Sequence, residues 1–359
     1  MQRPLRIGYV GSLEPGGTCY SRLVALQSAE PEVHPFDINR SFDLMTMPKW
    51  RRWLEQIPGA GPACRRLNHE LLEFTREKQL NLLWIDKGSW LATSTLRKLR
   101  RDGVILVHHL TDALWPKQWR LRLTRWQLVA GARYYQYYVT SHATDAARLK
   151  AMIPAQVLIT QLGYDERRFN THSMADPAVA AKWSNDLIFV GHHEPRTERG
   201  ICALIDAELD VKVFGGQWPQ RARANPKLSG HVFGSLSDQD YVWALKYAKI
   251  GLCFVSEWNS NQTAGRSYEI PACGTFLLAW RTREHLQHYK EGEEAEFFGD
   301  EIELVRKAQA YIANKERRQL IAESGHRRCK SSGYSWQEIM LRDWTIIRSE
   351  LAKAGALIK

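Results

Sequence analysis

The sequence lacks long apolar runs, has little cysteine and contains no internal repeat or low-complexity tract. Six cysteines are spread irregularly through 359 residues, and none forms a Cys-x-x-Cys pair or a Cys/His cluster with zinc spacing. No apolar run approaches the roughly 20 residues of a membrane span. Residues 1–6 carry charge where a signal peptide needs apolar length. We therefore expect a soluble, cytoplasmic protein whose cysteines are free thiols.

Acidic residues are scarce in one part of the chain. The sequence has 50 Lys and Arg against 39 Asp and Glu, and residues 91–150 hold eleven Lys and Arg against three Asp. A one-sided positive field attracts phosphates, acidic glycans or an anionic membrane surface, and a solvated basic face is the alternative. No motif of a nucleic-acid-binding fold is present, so a nucleic-acid partner is not expected.

Short apolar runs alternate with helical stretches throughout the chain, a pattern that indicates βα units with a parallel sheet. We predict two doubly wound α/β domains, with ligand beyond the carboxyl ends of the strands. Strands are predicted at 6–10, 80–85, 104–107, 137–140 and 157–159 in the first half, and at 186–191, 211–215, 232–234, 250–255 and 275–279 in the second. The expected division is a domain at 1–170, a linker at 171–185, a domain at 186–335 and a C-terminal helix at 336–359 that crosses back to the first domain.

The most informative segment is residues 261–278, a polar loop followed by a short helix, a glycine and a new strand. Arg266 lies near the predicted helix N-terminus, where free N–H groups and the helix dipole favour an anion. Glu269 lies three residues later on the same helix face and can accept hydrogen bonds from sugar hydroxyls. A salt bridge on a capped helix is an equally good interpretation of these two residues taken alone.

The segment resembles the signature N-x4-R-x2-E-x3-C-G of the CgeB-like, spore-maturation type glycosyltransferases, with Asn261, Arg266, Glu269 and Cys273-Gly274 in the matching positions. The resemblance covers most of the C-terminal half, from residues 186–191 to 334–336, with several motifs in the same order, and the N-terminal half is similar more loosely. The resemblance implies the GT-B fold, in which two Rossmann-like domains face a central cleft. It also implies metal-independent transfer of a sugar, retaining in stereochemistry, from a nucleotide-diphosphate donor held mainly by the C-terminal domain. A UDP-sugar is favoured as this co-substrate, and no cofactor is expected.

The resemblance also assigns residues. Glu269 corresponds to the second glutamate of an E-x7-E motif and is expected on the donor ribose, while the first glutamate position is Asn261, a departure that leaves the donor sugar open. Arg199 occupies the place of a diphosphate-binding lysine, with Arg196 as its neighbour. The remaining expected donor contacts are Gly17, Gly191, Gly216, Phe233, Gly234, Ser235, Thr263, Ala264 and Gly265, and the expected catalytic residues are Arg199, Arg266, Glu269 and His109.

Polar residues follow two predicted strands of the N-terminal half. His108, His109 and Asp112 come after the run 104–107, and Asp86 ends the run 80–85. We expect Asp86, His108 and Asp112 on the acceptor side, although a structural histidine is as good an interpretation of either imidazole. Gly17 follows the first strand and either brings backbone N–H groups near the donor phosphates or forms a plain turn.

Two further motifs allow two interpretations each. Asp238-Gln239-Asp240 has the form of a D-x-D metal motif, but Ser237 and Asp240 predict a capped helix start, so no metal is expected. Three tryptophans (Trp115, Trp119 and Trp126) recur at helical spacing, with Arg120, Arg122 and Arg125 between them. That combination suits a membrane–water interface. We slightly favour a helix that packs its tryptophans on the core.

The sequence as a whole predicts a glycosyltransferase that acts on a glycan or lipid-linked glycan, at the inner face of the cell membrane if it is peripheral. A protein acceptor is the alternative within the enzyme class. A non-catalytic sugar-nucleotide-binding protein is the alternative outside it, and the departure at Asn261 is its best support.

Overall fold

The computed structural model describes residues 5–39, 47, 48, 50, 51, 55, 61–169 and 177–354. The chain divides into two compact units. Unit 1 comprises Met1–Gln161, Trp258–Ser260 and Trp336–Lys359, and unit 2 comprises Leu162–Glu257 and Asn261–Ser335. Part of the linker expected at 171–185, residues 171–176, lies outside the described residues.

Unit 1 is built on a six-stranded sheet in the order β2-β1-β3-β4-β5-β6, in which every neighbouring pair is parallel. The central strands are buried because helices cover both faces of a parallel sheet. The strands are β1 (Ile7–Gly11), β2 (Val33–Asp37), β3 (Leu82–Asp86), β4 (Ile105–Leu110), β5 (Tyr137–Thr140) and β6 (Gln156–Ile159). The helices between them are α1 (Thr18–Ala29), α2 (Pro62–Glu77), α3 (Thr93–Arg101), α4 (Trp119–Gly131) and α5 (Ala143–Met152).

Unit 2 contains a second parallel six-stranded sheet, in the order β12-β11-β10-β7-β8-β9. Its strands are β7 (Asn185–Val190), β8 (Val211–Phe214), β9 (Val232–Phe233), β10 (Ala248–Cys253), β11 (Phe276–Trp280) and β12 (Glu296–Phe298). Its helices are α6 (Pro177–Trp183), α7 (Pro195–Asp206), α8 (Trp218–Ala224), α9 (Asp238–Lys246), α10 (Arg266–Ala272), α11 (Arg283–His288), α12 (Glu301–Ala313) and α13 (Lys315–Ser331). The predicted α/β class with two parallel sheets is confirmed.

The last helix, α14 (Trp336–Lys353), belongs to unit 1. Its Trp344 indole lies edge-on to Trp84 of β3, at 6.4 Å between ring centroids, and donates a hydrogen bond of 3.0 Å to Glu30. The adjacent Asp343 carboxylate accepts a hydrogen bond of 2.6 Å from the hydroxyl of Thr160. Helix α14 therefore completes the core of unit 1 although 171 residues of unit 2 lie between it and Gln161 in the sequence.

Each sheet changes direction beside its first strand. In unit 2 the chain runs from β7 outward to β8 and β9, then crosses to β10 on the other side of β7. In unit 1 the same reversal places β2 and β3 on opposite sides of β1. The crevice outside the carboxyl ends of two such strands is where doubly wound sheets bind ligands. In unit 2 this position lies between the ends of β7 and β10.

The structure differs from the sequence prediction in three elements. Strands β2 and β12 were not predicted, because Val33–Asp37 contains a proline and two polar residues and Glu296–Phe298 is only three residues long. Residues 177–183, inside the expected linker, form helix α6. This helix exists because Trp183 at its end is buried against Phe214, with 6.0 Å between the ring centroids.

Candidate functional site

Two glycines bring the ends of β7 and β8 into contact. The N–H of Gly191, directly after β7, donates a hydrogen bond of 2.9 Å to the carbonyl of Phe214. A Cβ on Gly215 would lie 2.2 Å from the Gly191 carbonyl oxygen, and Gly215 has a φ of +155°, which side chains rarely adopt. The Gly191 carbonyl also accepts a hydrogen bond of 2.9 Å from the Trp218 indole. The backbone at this edge of the sheet is therefore closely packed and fixed by hydrogen bonds.

Arg266 at the start of α10 lies against this glycine. A Cβ on Gly191 would lie 3.0 Å from Nη1 of Arg266, and the guanidinium lies over the Phe189 ring at 5.1 Å from its centroid. Its Nη2 makes a long hydrogen bond of 3.4 Å to the Phe254 carbonyl, and its buried Nε has no hydrogen-bond partner in the described part of the chain. The cation is thus held in place with its Nε–H donor unpaired within the described residues.

Glu269 lies one helical turn after Gly265, and its carboxylate folds back toward that residue. A Cβ on Gly265 would lie 3.3 Å from Oε2 of Glu269. The side chain is almost fully buried, and Oε2 accepts a hydrogen bond of 2.5 Å from the Tyr241 hydroxyl. Burial raises the pKa of Glu269, and the Tyr241 hydrogen bond with the charges of Arg168 and Arg266 partly opposes that rise.

Sequence reasoning missed two residues of this cluster, Tyr241 and Arg168. Arg168 follows β6 by nine residues and forms an ion pair with Asp238 at the start of α9. Its side chain is mostly buried, stacks over Phe169 at 5.0 Å and has a buried Nε without a hydrogen-bond partner among the described residues. The positive charge of Arg168 lowers the pKa of Glu269 together with that of Arg266, the one arginine that the sequence placed near this carboxylate.

The loop before α10 is tied to the core by a chain of hydrogen bonds. The Ala264 N–H donates to the Ser267 hydroxyl at 3.0 Å, which lies 2.7 Å from His285 Nε2, while His285 Nδ1 lies 2.7 Å from the Trp280 carbonyl. Burial lowers the pKa of His285 to about 4, so this imidazole is neutral and the Trp280 carbonyl takes its one N–H. The loop is therefore held in one conformation beside Glu269.

Asn261, Thr263 and Gly265 line the same loop. Thr263 is buried, and Asn261 donates its backbone N–H to the Ser256 carbonyl at 2.9 Å. The buried side-chain oxygen of Asn261 has no hydrogen-bond partner within the described residues. An unsatisfied buried acceptor is uncommon in folded proteins.

The two other predicted arginines have partners of their own. Arg196 donates to the Val255 carbonyl at 2.6 Å, pairs with Glu257 at 3.3 Å and lies over the Trp280 ring at 4.1 Å. It therefore holds the loop that follows β10. Arg199 is exposed on the surface of α7 and pairs with Glu301 at 3.2 Å. The adjacent Gly200 is needed for packing, because a Cβ there would lie 2.7 Å from the Phe254 ring.

The loop after β9 is open to solvent. Phe233 is exposed and its ring stacks on Phe214, with 5.1 Å between centroids and 24° between planes. A Cβ on Gly234 would meet no described atom within 4 Å, and one on Gly216 would lie 3.2 Å from the Ser235 hydroxyl. An exposed, pre-stacked aromatic ring beside free backbone is a surface on which a flat ring can lie.

In unit 1, Asp86 was predicted to lie on the side of the acceptor substrate, but both oxygens of its carboxylate bind protein groups. Its Oδ2 accepts hydrogen bonds from Arg22 Nε at 2.7 Å and from the Tyr9 hydroxyl at 2.5 Å, and its Oδ1 accepts from Arg22 Nη2 at 2.9 Å. Both side chains of the ion pair are fully buried. Asp86 therefore joins α1 to β1 and β3, and its carboxylate has no free face for an acceptor hydroxyl. Gly17 ends a turn closed by the Glu14 carbonyl and precedes α1.

The two predicted histidines of β4 are also fully buried. His108 stacks on Tyr135 at 4.5 Å and its Nε2 lies 2.9 Å from the Lys87 carbonyl. His109 packs beside Trp84, and neither of its ring nitrogens has a hydrogen-bond partner among the residues described. Burial lowers the pKa of His108 to about 4 and that of His109 to about 3, so both are neutral at physiological pH. Neither imidazole is exposed to solvent, so an acceptor substrate outside the core does not reach it.

Asp112 and the tryptophans of α4 lie on the surface of unit 1. The Asp112 side chain is 36% exposed and forms an ion pair with Arg125 at 3.6 Å. Trp119 and Trp126 are exposed, so the core packing that we favoured from the spacing is wrong for these two, whereas Trp115, before α4, is partly buried against the core. The cause is that Gln127 and Leu128 supply the buried face of α4 instead.

Asp238 and Asp240 lie in the first turn of α9, and both of their carboxylates have partners in the protein. Ser237 caps the helix and accepts the N–H of Asp240 at 3.2 Å, as predicted, and its hydroxyl donates to the Asp240 carboxylate at 2.9 Å. Asp238 pairs with Arg168. Within the described ranges, no group of three or more His, Cys, Asp or Glu side chains has an arrangement that could hold a metal ion. Nor does any described helix combine the length and apolarity that crossing a membrane requires.

Solved structures of other proteins are similar to this one over almost the whole chain. A sucrose-phosphate synthase from Thermosynechococcus elongatus is 13% identical with a TM-score of 0.70, covering 97% of this chain and 100% of that one. The fold is GT-B. Anabaena HepE in complex with UDP-glucose, also of GT-B architecture, is 13% identical with a TM-score of 0.66, over 96% of this chain and 100% of its own.

The GT-B fold alone does not separate transferases from other enzymes. A protein described as a UDP-N-acetylglucosamine 2-epimerase from Listeria monocytogenes is 12% identical with a TM-score of 0.62, over 98% of both chains. No curated protein matches the sequence. Residues 196–342 match a family described as Glycosyl transferase-like. That match includes Arg266, Glu269 and Tyr241, the centre of the cluster at the β7–β10 crevice.

Proposed function

We propose that this protein is a glycosyltransferase that uses a nucleotide-diphosphate sugar, with a UDP-sugar preferred, as donor. The observation that carries the proposal is the placement of Arg266 and Glu269 on helix α10. The Arg266 guanidinium, whose Nε has no hydrogen-bond partner among the described residues, lies against Gly191 at the end of β7. The buried Glu269 carboxylate lies against Gly265, and the charge of Arg266 lowers its pKa. A cation for phosphate and an acceptor for hydroxyls are the two groups that a sugar nucleotide needs.

Each residue of the cluster has a proposed role toward the donor. Glu269 accepts hydrogen bonds from donor hydroxyls, on the ribose by the resemblance to E-x7-E enzymes, and Tyr241 orients its carboxylate. Arg266 offsets the charge that develops on the departing nucleotide diphosphate, the step at which preorganised electrostatics contribute most. The free oxygen of Asn261 accepts from a further hydroxyl. Phe233, Gly234 and Ser235 hold the base.

Transfer by such a site is proposed to be metal-independent and retaining. The protein contributes charge stabilisation and orientation of both substrates. Arg199 joins Arg266 on the diphosphate only if it leaves Glu301, while Arg196 positions the loop after β10. The finer assignment, a CgeB-like spore-maturation type enzyme, rests on the match of Asn261, Arg266, Glu269 and Cys273-Gly274 to that signature.

The structural relatives support a nucleotide-sugar ligand. Anabaena HepE has been solved in complex with UDP-glucose and with UDP and glucose. The sucrose-phosphate synthase and the epimerase also carry names of sugar-converting enzymes. The family match over residues 196–342 favours transfer over epimerisation.

A panel of sugar nucleotides tests this proposal directly. Calorimetry and thermal unfolding with UDP, UDP-glucose, UDP-N-acetylglucosamine and GDP-sugars should find one binder. At 100 times its dissociation constant, that ligand should raise the free energy of unfolding by about 2.7 kcal/mol. Release of labelled sugar to acceptor or water then separates an enzyme from a sugar-nucleotide-binding protein. Absence of binding by every nucleotide overturns the proposal.

The acceptor is proposed to be a glycan or lipid-linked glycan, because unit 1 carries the basic segment 91–150. We place the reaction in the cytoplasm, where sugar nucleotides are made and where free cysteines persist. A protein acceptor is the competing proposal. Labelled product that extracts into organic solvent supports the first, and label that precipitates with protein supports the second.

A further inference from the structure

Helix α4 of unit 1 exposes a row of large apolar side chains. Trp119 is 63% exposed, Leu123 is 42% exposed and Trp126 is 45% exposed. Their spacing of four and then three residues places all three on one face of the helix. Gln127 and Leu128 lie on the buried side, so the row is not the part of α4 that attaches the helix to the core.

Cations flank the row, and acidic side chains are absent from it. Lys117, Arg120 and Arg122 are all exposed, and Arg120 lies over the Trp119 ring at 5.5 Å. Residues 113–144 contain five Lys and Arg and no Asp or Glu. Arg122 stays exposed although its Nε donates to the Pro116 carbonyl at 2.7 Å. Arg125 does not belong to this exposed set, because it is partly buried and its guanidinium pairs with Asp112 and donates to the Ala113 carbonyl at 2.6 Å.

We propose that this face of α4 binds an anionic lipid bilayer, with the Trp119, Leu123 and Trp126 side chains inserted at the headgroup level. A helix that lies in the interface plane needs one apolar face and cations beside it. Indole rings prefer the membrane–water interface, where the ring is in the acyl boundary and its N–H is hydrated. Lys117, Arg120 and Arg122 meet the lipid phosphates.

Charge favours a bilayer over a second copy of the chain as occupant. Two copies meeting through this face would bring two sets of cations together without any acidic residue from 113–144 to pair with them. The proposal is independent of the proposed donor chemistry, because α4 lies in unit 1 and the Arg266–Glu269 cluster lies in unit 2. It also places a lipid-linked acceptor within reach of the same unit.

Co-sedimentation of the full chain with vesicles tests the proposal. We expect binding to phosphatidylcholine vesicles that contain phosphatidylglycerol, little binding to pure phosphatidylcholine, and release as salt rises, because the attraction is screened within about 8 Å at physiological ionic strength. The triple variant Trp119→Ser/Leu123→Ser/Trp126→Ser should bind at least about tenfold more weakly. Lys117→Ser/Arg120→Ser/Arg122→Ser should reduce both the affinity and its salt dependence.

A matched control removes exposed apolar side chains elsewhere. Ile302 and Leu320, on α12 and α13, are 83% and 58% exposed, and Ile302→Ser/Leu320→Ser should leave vesicle binding unchanged. Circular dichroism and thermal unfolding show whether each variant is folded. Equal binding by the parent and the Trp119/Leu123/Trp126 variant, or no binding by the parent, overturns the proposal. A dimer in sedimentation velocity that this variant dissolves shows a self-interface and overturns it as well.

Discussion

The hydroxyl of Tyr241 donates a 2.5 Å hydrogen bond to Glu269 across 28 residues of sequence. It joins the buried carboxylate of α10 to α9, the helix whose first turn carries the ion pair between Asp238 and Arg168. Burial by itself raises the pKa of Glu269, and the Tyr241 hydroxyl stabilises the charged form. The carboxylate is thus prepared to accept further hydrogen bonds from a ligand.

Replacing the carboxylate with an amide tests its role. Glu269→Gln keeps the shape and an acceptor for the Tyr241 hydroxyl but removes the negative charge. We expect the donor free energy of binding to weaken by about 1.5–3 kcal/mol, the range for hydrogen bonds to charged groups. Calorimetry with the nucleotide measures it, and Glu323→Gln, on the exposed face of α13, is the matched control. Equal affinity of Glu269→Gln and the parent would remove Glu269 from the site.

Donor binding should also fall in acid. Because its pKa is raised, Glu269 takes up a proton at a higher pH than an ordinary glutamate, whose pKa is 4.5. The protonated form loses acceptor capacity, so affinity decreases as pH falls through the raised value. Tyr241→Phe removes a contact that lowers this pKa and should move the loss to still higher pH. Affinity measured as a function of pH for the parent and Tyr241→Phe shows whether the midpoint moves that way, and an unmoved midpoint would assign the pH dependence to another group.

The close contact of Gly191 with Arg266 predicts a specific effect of one methyl group. In Gly191→Ala the new Cβ would lie 2.9 Å from the Phe189 ring and 3.0 Å from the guanidinium, which must move. A positioning error near 1 Å can cost about 100-fold, so we expect donor affinity to fall at least about tenfold. The control is Gly299→Ala, whose Cβ would make an ordinary 3.7 Å contact with Glu303. Similar donor affinities for both variants would contradict the role of this contact.

Chelation should leave activity largely intact. Asp238 is paired with Arg168, and Asp240 is bonded to Ser237, so the D-x-D carboxylates already have partners. The phosphate charge is met instead by arginine in the proposed mechanism. Turnover in EDTA, compared with turnover in added magnesium or manganese, decides the point. Complete loss in EDTA with recovery on adding manganese would require a metal site that the proposal does not contain.

Asp86 should matter for stability rather than for donor binding. Burial raises the pKa of its carboxyl, but the adjacent Arg22 guanidinium outweighs burial and holds that pKa well below the ordinary 3.8. The charged form is therefore stabilised by folding, and its contribution is complete above that ordinary value and is lost as pH falls below it. Asp86→Asn leaves Arg22 buried without a counter-charge, which should cost about 3–5 kcal/mol in the free energy of unfolding.

Urea denaturation at neutral pH measures this cost. Asp102→Asn is the comparison, because the Asp102 carboxylate pairs with Lys98 at the surface and should contribute less than about 1 kcal/mol. The difference between Asp86→Asn and the parent should shrink as the solution is acidified. A neutral effect of Asp86→Asn would mean that Arg22 finds another partner.

The architecture and the centre of the site could be predicted because both are local in sequence. The strands that end in glycine are recognisable within about twenty residues of sequence, and so is the motif from Asn261 to Gly274. Arg168 and Tyr241 could not be found that way, since they meet Glu269 only through packing across 101 and 28 residues. The sequence signals for Tyr241 were its position in the helix capped by Ser237 and its place in residues 241–250, a segment that resembles the family, and neither assigned it to the site.

The sequence also could not predict the direction in which several side chains point. The spacing of Trp119 and Trp126 fits a buried face and an exposed face of α4 equally well, and only the burial of Leu128 decides between them. Arg196 was assigned to phosphate, yet the Trp280 ring and the Val255 carbonyl hold its guanidinium. His109 follows the right strand, but its side chain points into the core beside Trp84.

The return of α14 to unit 1 has a consequence for synthesis on the ribosome. Chains fold from the N-terminus as they emerge, domain by domain. Unit 1 begins first, but Trp344 and Asp343, which contact Glu30 and Thr160, are translated near the end. Unit 2 is complete in the nascent chain by Ser335. Unit 1 is synthesised first but must therefore finish folding last. Its sheet stays without helix α14 until the end of translation.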